Sequence, residues 1–294
     1  MSTKIKRASC PALDEILGDV INVQNHGHVR VIDYMGNENA IVQAARVSYG
    51  DGTKTVNEDK GLIRYLLRHK HTTPFEMCVV KLHLKMPIFV ARQWVRHRMS
   101  SMNEYSARYS EMRDEFFFPK AGEILGQSTT NKQGSDGELS NEVIETFISN
   151  TKLMAENSYD EYKDHLDMGV SRELARINLP LSVYTEFYWK IDLHNLMHFL
   201  KLRCDSHAQK QIRDYADPIL ELLKVWLPNV HAAFTDYIKD SVSLSKQEYD
   251  IVKAILDLKK VSIDWSRLQE DGFSKREAKE FCDKFGFILV TEKP

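Results

Sequence analysis

No apolar run in the 294-residue chain approaches the roughly 20 residues needed to cross a bilayer, so no membrane role is expected. The polar start, MSTKIKRASC, lacks the apolar core of a secretory signal, and the expectation is a cytoplasmic protein. An excess of one charge is also missing. Forty Lys and Arg stand against 42 Asp and Glu, leaving a formal charge of -2. Nothing global therefore draws the chain to a nucleic acid polymer or an anionic surface, and any basic site must be local. Cysteine is scarce: Cys10, Cys78, Cys204 and Cys282 lie far apart, without a CxxC pair or zinc-ribbon spacing. They read as reduced, mostly buried thiols. Cys204, beside Arg203, comes nearest to a setting that would suit a nucleophile. Internal repeats and low-complexity tracts are absent. What remains, 43% hydrophobic and 28% charged, describes a folded protein with ample material for one large domain, alone or with a small appendage.

Periodicity places the elements. VRVIDYMG (29–36) reads as a strand, and NENAIVQAARVSYG follows with helical spacing ending on Gly50. EDKGLIRYLLRHK (58–70) predicts a helix, and the alternation of VVKLHLK (79–85) a half-buried strand. Pro87 opens a helix, which a loop follows. Residues 119–140, rich in Gly, Ser, Thr and Asn, predict a long surface loop, and a helix over about 141–168 stops at Gly169. LSVYTEFYWKIDL predicts a strand. Two helices follow, the second broken or kinked at Pro218. From about Ser245 the chain turns Lys- and Glu-rich, which predicts two domains: a main one at 1–244 and a small helical C-terminal extension at 245–294.

The cations concentrate in RQWVRHRMSSMNEYSARYS (92–110). Arg92 and Arg96 share a helix face, where like charge is unfavourable unless an anion sits between them. Arginine's planar fork suits phosphate, carboxylate or the carbonyl edge of a heterocycle. The alternative is a solvated basic helix end. A second constellation, HKHTTPFE (69–76), carries His71, Thr73 and Glu76; its plainer reading is a loop and turn. In a third, HNLMHFLKLRCDSHAQ (194–209), His194 and His198 have the spacing of a zinc-binding pair with His207 as a conceivable third ligand, but Asn195 stands where a zincin needs its glutamate.

Arg96-His97-Arg98, seven further residues, then Ser106 resembles the signature of the flavin-dependent thymidylate synthases. AARVSYG, HKHTTPFE, FVARQWVRHR, NEYSARYS, SRELARINLP and LKLRCDSHAQ resemble that family's blocks in order, over about residues 30–235. The resemblance implies an α+β fold, an antiparallel sheet flanked by helices, in a homotetramer with shared active sites. It implies FAD contacts from Ser48, His71, Thr73, Glu76, Arg96, His97, Arg98, Asp192, His194 and His198, the family carrying Asn, Arg and Asn at the last three. For dUMP it implies Gln93, Arg96, Glu104, Tyr105, Ser106, Ala107, Arg108, Arg176 and Arg203, with Arg108 and Arg176 at the phosphate and Arg203 nearer the pyrimidine. Arg203, Ser106 and His71 are the implied catalytic group, Ser106 positioning rather than attacking. No metal is implied.

The activity implied is conversion of dUMP to dTMP with methylenetetrahydrofolate as carbon donor and NADPH as reductant of FAD, releasing tetrahydrofolate. Two rivals remain at this point. A metal-dependent phosphohydrolase would use His69, His71, Glu76, His194 and His198, and a nucleic-acid binder would use the arginine loop. The extension after about residue 245 lies outside the blocks that carry the resemblance.

Overall fold

The structure, a computed structural model, describes residues 7–47, 56–257 and 261–290. The chain divides into two units, Met1–Lys239 and Asp240–Pro294.

In the first unit the elements run α1 (Pro11–Asp14), β1 (Ile21–Val23), β2 (Gly27–Met35), α2 (Glu38–Arg46), α3 (Val56–Arg68), α4 (Thr73–Glu76), β3 (Val79–Pro87), α5 (Ile88–Trp94), β4 (Ser101–Glu104), α6 (Asn141–Asp167), α7 (Arg172–Ala175), β5 (Tyr184–Asp192), α8 (Leu193–Arg203), α9 (Lys210–Trp226) and α10 (Pro228–Phe234). The strands form one antiparallel sheet in the order β1-β2-β3-β5-β4. This is the α+β architecture, an antiparallel sheet flanked by helices.

Alternation decides which side of the sheet is covered. Val80, Leu82 and Leu84 of β3 pair with Ile191, Trp189 and Phe187 of β5, and Val31 and Val29 of β2 continue the same apolar face. All are buried, together with Leu196, Met197, Phe199 and Leu200 of α8 and Tyr215, Ile219, Leu223 and Trp226 of α9. Each large side chain so buried contributes about 1.5–3 kcal/mol, which fixes the register because a slip of one residue would turn the whole set to solvent. On the other face the same register pairs Arg30 with His83, His83 with Tyr188, and Lys85 with Glu186.

A second buried cluster lies apart from the sheet core. It joins Ala107, Met112 and Phe116 to Ala155 and Tyr162 of α6, Ala175 of α7, and Val183. Tyr162 Oη accepts the Met112 N–H at 2.9 Å, tying the long helix to the segment after β4. Helix α6 begins on the Ser140 cap and ends before Gly169, whose φ of +85° suits a residue without Cβ.

In this unit two expectations are corrected. The segment after α5 includes β4, which pairs with β5 from Ser101↔Lys190 to Glu104↔Phe187; its polar sequence, SMNE, suits an edge. Pro218 does not break α9, because the buried stripe of Tyr215, Ala216, Ile219, Leu222, Leu223 and Trp226 continues across it. That burial outweighs the roughly 3 kcal/mol an interior proline costs.

The second unit contains α11 (Lys246–Asp257), β6 (Ser262–Asp264), α12 (Trp265–Glu270), α13 (Lys275–Phe285) and β7 (Ile288–Val290). It is not wholly helical, since β6 and β7 pair in parallel. Leu268, Ala278 and Cys282 form its own small core, with Trp265, Phe273, Phe281 and Phe287 packed around them.

Candidate active site

Helix α8 positions two groups of implied site residues, one at each end of a span of roughly 16 Å. At its start, the Leu193 N–H donates to Cys78 O at 2.8 Å, which docks the helix on the segment that follows α4. Helix α4 packs against α8, anchored by the fully buried Phe75, and leaves Thr73 and Glu76 exposed on either side of it, with His71 exposed just before. Asp192 caps α8: its carboxylate accepts the Asn195 N–H at 3.0 Å and the Asn195 side-chain amide at 2.7 Å. His194 is half-buried and His198 exposed. Ser48 lies outside the described residues.

At the other end of α8, Arg203 meets the segment that ends α5. Its Nε donates to His97 Nε2 at 3.0 Å and its Nη2 to Gln93 O at 3.4 Å. The Gln93 amide donates in turn to Gln209 Oε1, at the N-terminal end of α9. His97 packs edge-on against Phe199 and faces His198 with ring centroids 6.2 Å apart. Burial, then the Arg203 charge and His198, push the His97 imidazole down to about 4, so it is neutral at physiological pH. Arg96 and Arg98 flank it, both exposed, their side chains without an ion-pair or hydrogen-bond partner among the described residues. Cys204 follows Arg203, and burial with Asp217 nearby pushes its thiol up to about 12. That is the wrong direction for a nucleophile.

The second cluster assembles a third group. Ala107 and Ala175, both buried in it, fix the backbones beside Arg108 and Arg176. Ser106 turns the chain, its carbonyl accepting the N–H groups of Tyr109 and Ser110 and its Oγ that of Arg108 at 3.3 Å. Tyr105 Oη donates to Glu111 O at 2.5 Å. Glu104 accepts from Thr185 Oγ1 at 2.6 Å, and Arg108 pairs with Glu173 at 2.9 Å. A shallow recess adjoins Tyr105, Glu115, Thr185 and Glu186.

The structure thus joins Gln93, His97 and Arg203 directly, places Ser106, Arg108 and Arg176 next in sequence to the buried Ala107 and Ala175 of one cluster, and sets Thr73, Glu76 and Asp192 near the start of α8. Among the described residues, no hydrogen bond or ion pair joins the Ser106–Arg108 group to Arg203 or to the start of α8. Thr185, Glu173 and Gln209 were not singled out from sequence. Glu173 lies within SRELARINLP and Gln209 within LKLRCDSHAQ, beside the residues the motif marks; Thr185 reads only as a strand residue. Among the described residues no three His, Cys, Asp or Glu side chains are arranged to hold a metal ion.

Comparison with known proteins follows the same residues. The model of the family described as thymidylate synthase complementing protein matches residues 30–229. The flavin-dependent thymidylate synthase of Rickettsia conorii (strain ATCC VR-613 / Malish 7) is 49% identical over 299 residues, covering 97% of this chain and all of that one. That of Wolbachia pipientis wMel is 48% identical, covering 94% of this chain and 96% of its own. Matches of this length take in most of the C-terminal unit, so the resemblance extends past residue 235. Among solved structures, the UMP/dUMP methylase PolB from Streptomyces cacaoi bound with 5-Br dUMP superposes with a TM-score of 0.67 at 33% identity, covering 73% of this chain and 97% of that one.

Proposed function

The chain belongs to the thymidylate synthase complementing protein family, and on that premise we propose that it is a flavin-dependent thymidylate synthase converting dUMP to dTMP. The one-carbon unit of methylenetetrahydrofolate replaces the C5 proton of dUMP, a hydride completes the methyl group, and tetrahydrofolate leaves. The observation that carries the reading is the junction of His97, centre of the Arg96-His97-Arg98 motif, with Arg203.

The donor set fits FAD. Arg96 and Arg98 are exposed cations with no counter-charge among the described residues, as a diphosphate or the polar edge of a flavin requires. With them, His71, Thr73, Glu76, His97, Asp192, His194 and His198 would hold the group, Asp192 through whatever capacity its capping bonds leave. When bound, FAD supplies the hydride chemistry, with NADPH as its reductant.

The chain's own residues bind and orient. Arg108 and Arg176 hold the dUMP phosphate, while Ser106, with the backbone of Tyr105 and Ala107, holds the sugar and base edge. Arg203 and Gln93 face the pyrimidine, where a fixed cation stabilises the negative character its carbonyls gain on reaction. Glu104 completes the substrate set, and His71 stands where flavin and folate meet. No cysteine is needed in attack, in keeping with the raised Cys204 thiol.

A homotetramer with shared sites accounts for the separation of the three groups. It also accounts for the exposed apolar side chains beside them: Met99 at 71%, Tyr109 at 81%, Leu174 at 58% and Ile177 at 70% exposed. Cytoplasmic residence completes the reading. The test is dTMP formation by FAD-loaded protein from dUMP, methylenetetrahydrofolate and NADPH. Arg203→Ala and Arg176→Ala should abolish dUMP-dependent turnover with flavin still bound, and unchanged turnover would remove their assigned roles.

A further inference from the structure

Arg203 is held before any ligand is considered. Its Nε–H is engaged by His97 Nε2 and one Nη2 hydrogen by Gln93 O, at the C-terminal end of α5. His97 in turn has little freedom. Its N–H donates to Trp94 O at 3.0 Å, and Ser100 Oγ donates to its carbonyl at 2.8 Å. The ring lies edge-on to Phe199, 4.8 Å away, and Phe199 is one helical turn before Arg203. Helix α8 therefore supplies both the guanidinium and the wall that orients its acceptor.

Resting on the thymidylate synthase reading, we propose that His97 is a positioning residue for Arg203, its Nε2 accepting the Arg203 Nε–H so that the remaining Nη–H donors are fixed for the pyrimidine. Only a neutral ring with its proton on Nδ1 can do this, because a protonated ring would set N–H against N–H. Burial beside Arg203 keeps the ring in that neutral state. A guanidinium fixed in advance loses less rotamer freedom when substrate arrives. The middle residue of the flavin motif thereby also tunes nucleotide binding, and the Nδ1–H stays available for the flavin side.

The experiment compares His97→Gln with His97→Asn in the full-length, FAD-loaded enzyme, following flavin content by absorbance and KM and Kd for dUMP separately. Glutamine can present an acceptor near the Nε2 position, whereas asparagine is too short. We expect any flavin weakening to be alike in the two variants and overcome by excess FAD, and at equal flavin content His97→Asn to raise KM for dUMP roughly tenfold or more, with His97→Gln restoring most of the loss. Equal impairment of the two, unchanged dUMP binding in His97→Asn, or dUMP loss that only tracks flavin loss would each overturn the proposal. If the variants misfold, ¹⁵N NMR of the wild-type histidines decides: His97 protonated on Nδ1 with Nε2 as acceptor supports it, and the opposite tautomer overturns it. A wild-type enzyme that makes no dTMP would instead sink the activity reading itself, whatever the tautomer.

Discussion

Arg108 and Glu173 form an ion pair at 2.9 Å, so an arginine assigned to the substrate phosphate carries an internal counter-ion. Both side chains are more than half exposed, at 58% and 52%. An exposed pair of this kind contributes only about 0.2–1 kcal/mol, too little to block a dianionic phosphate but enough to compete with it. Glu173→Gln should therefore tighten dUMP binding by about two- to fivefold, with the gain shrinking at high salt. Calorimetric titration at two ionic strengths checks this; weaker binding would mean that Glu173 orients Arg108 rather than competing for it.

Thr185 is buried, and its hydroxyl donates to Glu104 at 2.6 Å. Valine keeps the shape and removes the donor. A hydrogen bond to a carboxylate contributes about 1.5–3 kcal/mol, less where the acceptor is exposed as Glu104 is, so Thr185→Val should raise KM for dUMP roughly tenfold. Steady-state kinetics with unchanged flavin content would support the link; an unaltered KM would break it.

Gly27 opens β2 where no side chain fits. A Cβ there would lie 1.9 Å from Tyr215 Oη and under 3 Å from the carbonyls of Val23 and Lys85. Two of those neighbours are backbone, so relief requires moving strands. Gly27→Ala should cost about 3 kcal/mol, and a thermal melt should show a midpoint lower by several degrees.

The polar side of the sheet predicts an acid-sensitive fold. His28 is pushed down to about 4 by burial first, then by His83, Arg30 and Lys85, with Glu186 opposing. His83 is lowered too, chiefly by burial. Between about 6.5 and about 4 the unfolded chain binds a proton that folded His28 does not, so stability falls as pH drops through that window. His28→Gln should flatten part of the fall, leaving the share of His83 and His97. Denaturant titrations from pH 7 to 4 would show it, and an unchanged slope would contradict it.

Much of this was legible in the sequence because the deciding patterns are local. The alternation of VVKLHLK and the helix stop at Gly169 lie within a few residues of the structure they dictate. The helix through Pro218 was not legible, since its cost is offset by burial against distant strands. Three-residue strands such as β6 and β7 are too short to show a period. The bond from Arg203 to His97 joins positions 106 residues apart, and no spacing rule predicts it. Motif resemblance named both residues but gave no contact between them.

The most direct test is the visible spectrum of the purified, FAD-reconstituted chain, followed under anaerobic conditions with NADPH and then with dUMP and methylenetetrahydrofolate. The account predicts a flavin spectrum that bleaches on reduction and recovers only when both substrates are present, with one dTMP formed per flavin reoxidised. Protein that binds no FAD, or flavin that recovers without forming dTMP, would contradict it.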